Sequence, residues 1–318
     1  MKRVLALLLT SLLLPVALHA AAEYSRDPAW PGPLPEGWKF RMVSNMAGDS
    51  QGRIYVAHRG EHPVLVFDRN GKFLHSLGDE VFKITMMYDV MKTPPAPISL
   101  GYWIHGIHVD YQDNVWVTDY GRQVIFKFSP QGKLLMTLGT LNKSGDDAET
   151  FYQPAGVAVA PTGHIYVADG YGNSRIVKFS PEGKFLKAWG RKGSEPGEFN
   201  LPHAVAVDAK GNVYVAERLN SRVQVFDPDG RFLTQWKLGR CNAIVLGRDG
   251  GAFVGSGKDI LKVDLTGRIL ETIGTYEEFG GPHGLFEDSE GNLYVADPTS
   301  DSAARPPRRF LKQKPAGK

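Results

Sequence analysis

An internal repeat of about 40 residues is the feature that most constrains how this chain can fold. An apolar stretch, a turn rich in Gly and Asn, and a strand with a Tyr-Val or Trp-Val pair follow one another in each copy. The six turn segments are DSQGRIYVAH (49–58), YQDNVWVTDY (111–120), PTGHIYVADG (161–170), AKGNVYVAER (209–218), GRDGGAFVGS (247–256) and DSEGNLYVAD (288–297). Short alternating strands joined by hairpin turns are typical of one propeller blade. The sequence therefore predicts an all-β, six-bladed β-propeller.

The sixth repeat ends before it can supply all of its strands. After Asp297 the chain offers a third strand at residues 309–312 but nothing for a fourth. Because a closed ring avoids an open sheet edge, we expect an N-terminal strand around residues 38–43 to complete this blade. The domain boundaries that follow are residues 23–312 for the propeller and 313–318 for a disordered basic tail.

The N-terminal residues have the composition of a secretory signal peptide. Residues 1–22 begin with Lys2 and Arg3, continue in an apolar run, and end in small residues before Glu23. This order predicts cleavage and a secreted or periplasmic protein. The apolar run is too short to span a bilayer, so we expect no stable membrane insertion.

Charge and cysteine content narrow the possible partners. Residues 1–22 and 305–318 hold eight of the 37 Lys and Arg residues and none of the 34 Asp and Glu residues, so the body between them is mildly acidic. An acidic body argues against nucleic acid as a partner. Cys241 is the single cysteine, so no intramolecular disulfide can form. As a separate expectation, the protein should be a monomer.

Three histidines occupy the same position in alternate repeats. Counting back nine positions from the turn residues Asn114, Asn212 and Asn292 reaches His105, His203 and His283. The same offset in the first, third and fifth repeats gives Ser44, Ala155 and Asn242. Alternate blades of a six-membered ring lie a third of a turn apart, so these imidazoles should converge on the ring axis. Three His ligands with an open fourth position are typical of catalytic zinc, although iron, cobalt or manganese could use the same ligands. The alternative is three unrelated core histidines.

Two arginines and a tyrosine fall on the same face of the ring. Arg59 and Arg218 follow the second strand in opposite blades, six positions after the turn reference, and Tyr171 stands seven positions after it in blade three. A pair of guanidiniums beside a metal is suited to holding a carboxylate. The alternative for each arginine is a salt bridge between blades, for example to Asp119 or Glu217.

Two levels of resemblance accompany these motifs. The repeats between about residue 44 and residue 312 resemble NHL repeats. The segments HGIHVDYQDNVWVTD (105–119), FYQPAGVAVAPTGHIYVADGYGNSRIVKFSPEGKFLKAWG (151–190), FNLPHAVAV (199–207) and VAERLNSRVQVF (215–226) resemble the peptidyl-α-hydroxyglycine α-amidating lyase family.

Members of that family are six-bladed propeller enzymes that cleave a peptide ending in α-hydroxyglycine into the amidated peptide and glyoxylate. The resemblance implies a peptide or small carbinolamide substrate. Carried over motif by motif, it implies zinc at His105, His203 and His283, a base-like tyrosine at Tyr171, and site arginines at Arg59 and Arg218.

The chain departs from the family at two places. Gly284 stands where characterised animal members have an Asp that helps to bind a structural calcium, which puts calcium in doubt here. The disulfides that those members carry near the tyrosine are also absent, since only Cys241 is present.

Two other functions compete with the lyase. One is a non-catalytic propeller that binds a protein, peptide or glycan and uses the histidines for a structural metal. The other is a metal-dependent hydrolase such as a lactonase. Tyr171 with both arginines favours the lyase, because a structural metal needs neither. A hydrolase would be expected to use a carboxylate, and no acidic residue occupies an inner-strand start.

Overall fold

The computed structural model describes residues 23–298 and 305–313. The predicted signal peptide (1–22) lies outside the described residues, as does nearly all of the predicted tail. Six four-stranded antiparallel sheets are present, and their inner strands contact one another in a closed cycle. The predicted all-β, six-bladed propeller is confirmed.

The first three blades follow the chain from their inner to their outer strand. Blade one has β2 (Val43–Gly48), β3 (Ile54–His58), β4 (Val64–Phe67) and β5 (Phe73–Ser76). Blade two has β8 (Ile104–Val109), β9 (Val115–Asp119), β10 (Val124–Phe128) and β11 (Leu134–Leu138). Blade three has β12 (Gly156–Val159), β13 (Ile165–Asp169), β14 (Arg175–Phe179) and β15 (Phe185–Trp189).

The last three blades are built in the same way. Blade four has β16 (Pro202–Val207), β17 (Val213–Glu217), β18 (Arg222–Phe226) and β19 (Phe232–Lys237). Blade five has β20 (Ala243–Leu246), β21 (Ala252–Gly255), β22 (Ile260–Val263) and β23 (Ile269–Ile273). Blade six has β24 (Gly284–Glu287), β25 (Leu293–Ala296), β26 (Arg308–Lys312) and, outermost, β1 (Tyr24–Asp27).

Two short elements lie outside the blades. A hairpin of β6 (Thr85–Asp89) and β7 (Ala96–Gly101) is inserted between blades one and two. A single helical turn, α1 (Tyr276–Phe279), precedes blade six. No helix in the described part of the chain is long and apolar enough to cross a bilayer.

The strand that closes the ring is not the one expected from the sequence. β1 pairs with β26, with Tyr24 opposite Lys312 and Asp27 opposite Arg309. An N-terminal strand does complete blade six, but residues 38–43 do not form it. That segment instead carries Trp38, which packs against the apolar core between blades one and six. Its aromatic content reflects this packing and not strand pairing.

An aspartate organises the turn between the first two strands in blades one, two, four and six. In blade four the Asp208 carboxylate accepts the backbone N–H of Asn212 at 2.8 Å and the Tyr214 hydroxyl at 3.1 Å. Gly211 in this turn has a φ of 87°, which glycine adopts without a steric cost. Blade two has Asp113 at that place with a φ of 62°, a conformation that Asp tolerates. The turn explains the recurring residues and fixes the length of the connection.

The core lies between adjacent blades. Every residue of the second strands β3, β9, β13 and β17 is buried, because both faces of these strands meet a neighbouring blade. The outer strands are half exposed, as in β15. Burial on both faces explains the continuous apolar runs of the inner strands, and it makes the ring a rigid support for side chains at its axis.

Candidate metal centre

Three imidazoles from alternate blades meet at one end of the central channel. His105 lies in β8, His203 lies in β16, and His283 directly precedes β24. Their ring centroids are 4.8, 4.8 and 4.6 Å apart, and one nitrogen from each ring lies within 4.8 Å of the other two. All three side chains are buried. The structure therefore brings the three register histidines to a common point on the axis.

Each imidazole is held by a backbone carbonyl of the next blade. His105 Nδ1 donates to the Ala155 oxygen at 2.7 Å, and His203 Nδ1 donates to the Asn242 oxygen at 2.5 Å. His283 completes the ring of contacts by donating to the Ser44 oxygen at 2.7 Å. A carbonyl oxygen only accepts, so Nδ1 carries the proton in each ring and Nε2 presents its lone pair.

The three histidines are kept neutral by their surroundings. Burial, reinforced by the neighbouring imidazole of His283, holds the pKa of His105 and of His203 well below the usual value. Burial likewise lowers the pKa of His283 to about 3. Neutral imidazoles with a fixed tautomer are the form in which histidine binds a metal.

This donor set fits the metal that the sequence predicts. Three convergent Nε2 atoms, each fixed by a hydrogen bond on the opposite nitrogen, match the ligand set of a three-histidine zinc site. In the described part of the chain, these three residues are the one group of His, Cys, Asp or Glu side chains placed to hold an ion. The geometry supports a metal without selecting which one.

The Tyr171 hydroxyl lies against two of the three imidazoles. Its oxygen is 3.1 Å from His105 Nε2 and 3.2 Å from His203 Nε2, and it accepts a hydrogen bond from Arg218 Nη1 at 3.2 Å. The connection after β13 can bring it there because Gly170 packs directly against the Pro202 carbonyl, where a Cβ would collide. The structure thus places two of the predicted residues, Tyr171 and Arg218, in contact with each other beside the triad.

Arg59 approaches from the opposite side of the mouth. Its guanidinium lies 4.7 Å from the Trp103 ring centroid and 5.2 Å from the Tyr120 centroid, and Nη1 is 3.7 Å from Met42 Sδ. The Nε atom is buried and has no hydrogen-bond partner among the described residues. Aromatic faces attract a cation without satisfying its N–H donors, so Arg59 keeps donors for an anion.

The salt-bridge alternative for the arginines is not what the structure shows. Asp119 pairs with Arg122 at 3.8 Å and Glu217 pairs with Arg222 at 2.6 Å. Within residues 23–298 and 305–313, neither of the predicted site arginines pairs with a carboxylate. Their charge is left for a bound anion.

A third arginine, Arg240, was missed by the sequence analysis. Its Nε donates to Asn242 Oδ1 at 3.2 Å, and burial together with the charge of Arg218 lowers its pKa. The electrostatic field of Arg240 also reaches Tyr171 and His283. It stands two residues before the register position of blade five, so an inspection of the residues just before each inner strand could have found it.

Gly284 and Cys241 lie next to residues of the site. Gly284 follows His283, and a Cβ there would lie 2.5 Å from Asn45 Cα. The position therefore has no room for an aspartate side chain, which agrees with the departure from the family noted in the sequence and leaves calcium in doubt. Cys241 is buried, and burial raises the pKa of its thiol to about 12, which suits a packing role.

Comparisons with known proteins fit this architecture. The NHL repeat model matches residues 151–179 and 199–226, which carry Tyr171 and His203. Peptidyl-glycine alpha-amidating monooxygenase of Mus musculus is 39% identical over 196 residues, covering 56% of this chain and 20% of that protein. The probable peptidyl-alpha-hydroxyglycine alpha-amidating lyase of Caenorhabditis elegans is 40% identical over 208 residues, covering 63% of this chain and 59% of that protein. NHL repeat-containing protein 3 of Homo sapiens is 34% identical over 210 residues, covering 62% of this chain and 54% of that protein.

The chain thus spans about a fifth of the mouse relative and less than two thirds of the other two. A solved structure of streptogramin B lyase superposes with a TM-score of 0.59 at 12% identity, covering 87% of this chain and 95% of that one. At that identity the likeness concerns the fold alone. Repeats and sequence relatives together bear out the resemblance noted in the sequence: the chain is a β-propeller with NHL repeats, and it is similar to proteins named peptidyl-α-hydroxyglycine α-amidating lyase.

Proposed function

We propose that the protein is a zinc-dependent lyase that cleaves the N–C bond of a peptidyl-α-hydroxyglycine, or of a related carbinolamide, to an amide and glyoxylate. Relatives that carry this activity in their names support the reaction class. The contacts around Tyr171 support the chemistry.

The position of the Tyr171 hydroxyl is the observation that carries the proposal. It lies within 3.2 Å of two imidazole Nε2 atoms and of the Arg218 guanidinium. No Asp or Glu side chain in the described part of the chain bonds to these groups. A metal with a purely structural role would need neither a hydroxyl nor an arginine here, and a hydrolase would be expected to place a carboxylate.

The three Nε2 atoms of His105, His203 and His283 would hold the zinc. When bound, zinc supplies a positive charge that makes a neighbouring substrate hydroxyl more acidic. The backbone carbonyls on the Nδ1 side keep the imidazoles in place, so little reorganisation is needed when substrate enters.

The side chains account for the proton and the carboxylate. The substrate is R–CO–NH–CH(OH)–COO⁻, and Arg218 and Arg59 would bind its carboxylate through charged hydrogen bonds. Tyr171 Oη would accept the hydroxyl proton as general base. The C–O bond becomes a carbonyl, the C–N bond breaks, and the same proton passes to the nitrogen. The products are R–CO–NH₂ and glyoxylate, and no water is consumed.

Turnover of a dansylated α-hydroxyglycine peptide tests the proposal. Purified protein should release the dansylated amide and glyoxylate in equal amounts, lose this activity on chelation, and regain it with zinc. Absence of turnover by protein that carries one zinc per chain would overturn the lyase and favour a binding propeller with a structural metal.

Export and a monomeric state belong to the same proposal. An exported enzyme would act on peptides outside the cytoplasm, and the composition of residues 1–22 is the support for this location. Mass spectrometry of the protein from intact cells should give a mature chain that begins near residues 21–23, and light scattering should give the mass of one chain. Retention of residues 1–22 in the cytoplasmic fraction would contradict export.

A further inference from the structure

Two aromatic rings hold the guanidinium of Arg59 at the edge of the metal centre. The Arg59 Cζ atom lies 4.7 Å from the ring centroid of Trp103 and 5.2 Å from that of Tyr120. The two ring planes meet at 79°, with their centroids 6.0 Å apart. The guanidinium thus lies over both rings, and aromatic faces attract a cation. Trp103 and Tyr120 are called the aromatic corner below.

Blade two builds this corner from the ends of two neighbouring strands. Trp103 directly precedes β8, Tyr120 directly follows β9, and the Tyr120 N–H donates to the Trp103 carbonyl at 3.2 Å. Gly121 allows a close approach here, because a Cβ would lie 2.7 Å from Trp103 Cβ and 2.8 Å from Thr85 Cγ2. The two rings are therefore fixed to each other through the backbone.

The inserted hairpin packs against the corner. Met87 of β6 is buried in one cluster with Trp103 and Tyr120. Gln153 Nε2 lies 3.6 Å from Met87 Sδ and donates to the Tyr88 carbonyl at 2.8 Å, which ties β6 to the propeller. Because closely packed side chains keep their rotamers, the corner is a rigid part of the site.

Arg59 depends on these rings for its position, whereas Arg218 has a hydrogen bond. Arg218 donates to the Tyr171 hydroxyl at 3.2 Å. Arg59 Nη1 instead lies 3.7 Å from Met42 Sδ, a weak acceptor, and its buried Nε has no partner among the described residues. The aromatic faces are therefore the contacts that locate the charged end of Arg59.

The unmet donors of Arg59 favour an anion as the ligand. A buried guanidinium without an acceptor costs free energy, and ring faces offset this cost without satisfying the N–H groups. A bound carboxylate would supply the missing acceptors through charged hydrogen bonds. The free protein thus holds an anion site in place before the ligand arrives.

The corner lies directly beside the predicted metal ligands. The Tyr120 ring centroid is 5.1 Å from that of His105 and 5.5 Å from that of Tyr171. Burial is the main cause of the low pKa of His105 and of His283, and the charge of Arg59 lowers both further. An anion bound to Arg59 would therefore lie next to the metal centre.

We propose that Trp103 and Tyr120 are positioning residues for substrate binding: they hold the Arg59 guanidinium beside the triad so that its N–H donors meet the substrate carboxylate. The inference rests on the proposed function for the identity of the substrate, but it predicts a selectivity for carboxylates that can be measured without turnover. Without the corner, Arg59 would occupy several rotamers and would have to be ordered again when substrate binds.

Calorimetric titration with two unreactive peptides measures this selectivity. Acetyl-Ala-Gly carries a terminal carboxylate, and its carboxamide has nearly the same shape without the charge. Both lack the hydroxyl that the reaction requires. The purified protein should bind the acid on the order of 100-fold more tightly. Equal affinities would overturn the inference, because Arg59 would then recognise no carboxylate.

A change confined to the ring face of Tyr120 tests the corner itself. Tyr120→Phe should leave the acid-over-carboxamide ratio close to its wild-type value, because it keeps the ring. Trifluorophenylalanine in place of Tyr120 has nearly the same volume but an electron-poor face, so it should lower the ratio by about fivefold and retain the fold. The same replacement of Phe126, which lies 5.5 Å from Arg122 Cζ in the same blade, is the matched control and should not change the ratio. Equal ratios for the two ring types at position 120 would overturn the inference.

A double-mutant cycle shows whether the ring acts through Arg59. Arg59→Met alone should lower the ratio by about tenfold. Trifluorophenylalanine at position 120 should lower it no further in the Arg59→Met protein, because the cation that the ring positions is gone. Additive losses, or an equal loss of affinity for the carboxamide, would mean that the ring contacts the peptide directly, and the positioning role would be wrong.

Turnover separates this inference from the proposed function. In an active lyase, trifluorophenylalanine at position 120 should raise KM by about fivefold with little change in kcat, because it weakens substrate binding and not the proton transfer. Turnover with an acid selectivity that no ring replacement alters would leave the lyase standing and overturn the corner. An acid selectivity that falls with the ring replacement, in a protein without turnover, would support the corner and overturn the lyase.

Discussion

Replacement of His203 by alanine is the sharpest test of the metal centre. His203 is 2% exposed, donates Nδ1–H to the Asn242 carbonyl at 2.5 Å and points Nε2 at the axis. The substitution removes one of three predicted metal ligands and leaves a buried carbonyl without its donor. It should therefore change both the stability of the fold and the response of that stability to metal.

The size of each effect can be worked out separately. The unpaired Asn242 carbonyl and the space left by the ring should cost on the order of 3 kcal/mol of unfolding free energy. A metal present at about 1,000 times its Kd stabilises the fold by about 4 kcal/mol, and at about 10 times its Kd by about 1.4 kcal/mol. Loss of one ligand should weaken binding at least about 100-fold, since loss of a supporting group alone costs about 10- to 100-fold.

These energies convert into a shift that calorimetry can read. With an unfolding entropy of about 2.1 cal/mol/K per residue, chelation should lower the Tm of the wild-type protein by about 7 °C and that of His203→Ala by about 2 °C. The difference between the two chelator shifts isolates the metal from the general loss of stability. Metal content by mass spectrometry should fall in parallel.

His108→Ala is the matched control. His108 also belongs to an inner strand, and its Nε2 accepts the Val159 N–H at 3.2 Å, but it lies outside the triad. Its removal should lower Tm and leave the chelator shift and the metal content as in the wild type. If His203→Ala kept one metal per chain and the full chelator shift, the three-histidine site would be wrong.

Three further changes probe the surroundings of the triad. Tyr171→Phe should keep the metal and lower kcat by about 10²- to 10⁴-fold, because it removes the base. Tyr166→Phe in the same blade is the control and should leave steady-state kinetics normal. Near-normal turnover by Tyr171→Phe would show that another group moves the proton. Arg240→Gln should raise KM for a carboxylate substrate by about tenfold with little change in kcat, because it removes one charged donor from the mouth of the central channel. An unchanged KM would show that Arg240 does not belong to the site. Burial raises the pKa of Asp119 to about 7 from its ordinary 3.8, so the folded state keeps a proton that the unfolded state releases between these values. Stability should therefore fall by about 4 kcal/mol as pH rises through that window. Urea titrations at several pH values should show this fall flattened in Asp119→Asn, and parallel curves for the two proteins would contradict it.

The repeat made much of the site accessible to simple counting. The connection between the first two strands has the same length in every blade, so a constant offset from the turn reaches the same height in each of them. That is why His105, His203 and His283 meet, and why Arg218 and Tyr171 lie beside them. Counting gives equal heights in a repeat protein because each blade is the same supersecondary unit.

Features outside the repeat could not be found in this way. β1 has the sequence YSRD, whose polar residues carry no strand signal, and it forms because the edge of β26 is open and Arg309 pairs with Asp27. Arg240 has no counterpart in the other repeats, where the same offset gives Met42, Trp103, Gln153, Leu201 and Gly281. The hairpin is an insertion, so no offset in the repeat addresses its residues.

The six-fold ring and the three-fold site are parts of one arrangement. Histidine occupies the inner-strand start of the even blades, and the residue at the same position of each following odd blade supplies the carbonyl that fixes it. Since the contact uses the backbone, Ser44, Ala155 and Asn242 serve equally well despite different side chains. A ring made only of the three histidine-bearing blades would have the imidazoles but not the odd-blade carbonyls that accept their Nδ1–H groups. The side chains of the odd blades are therefore free for other tasks, and Asn242 uses its amide oxygen to hold Arg240 at the mouth.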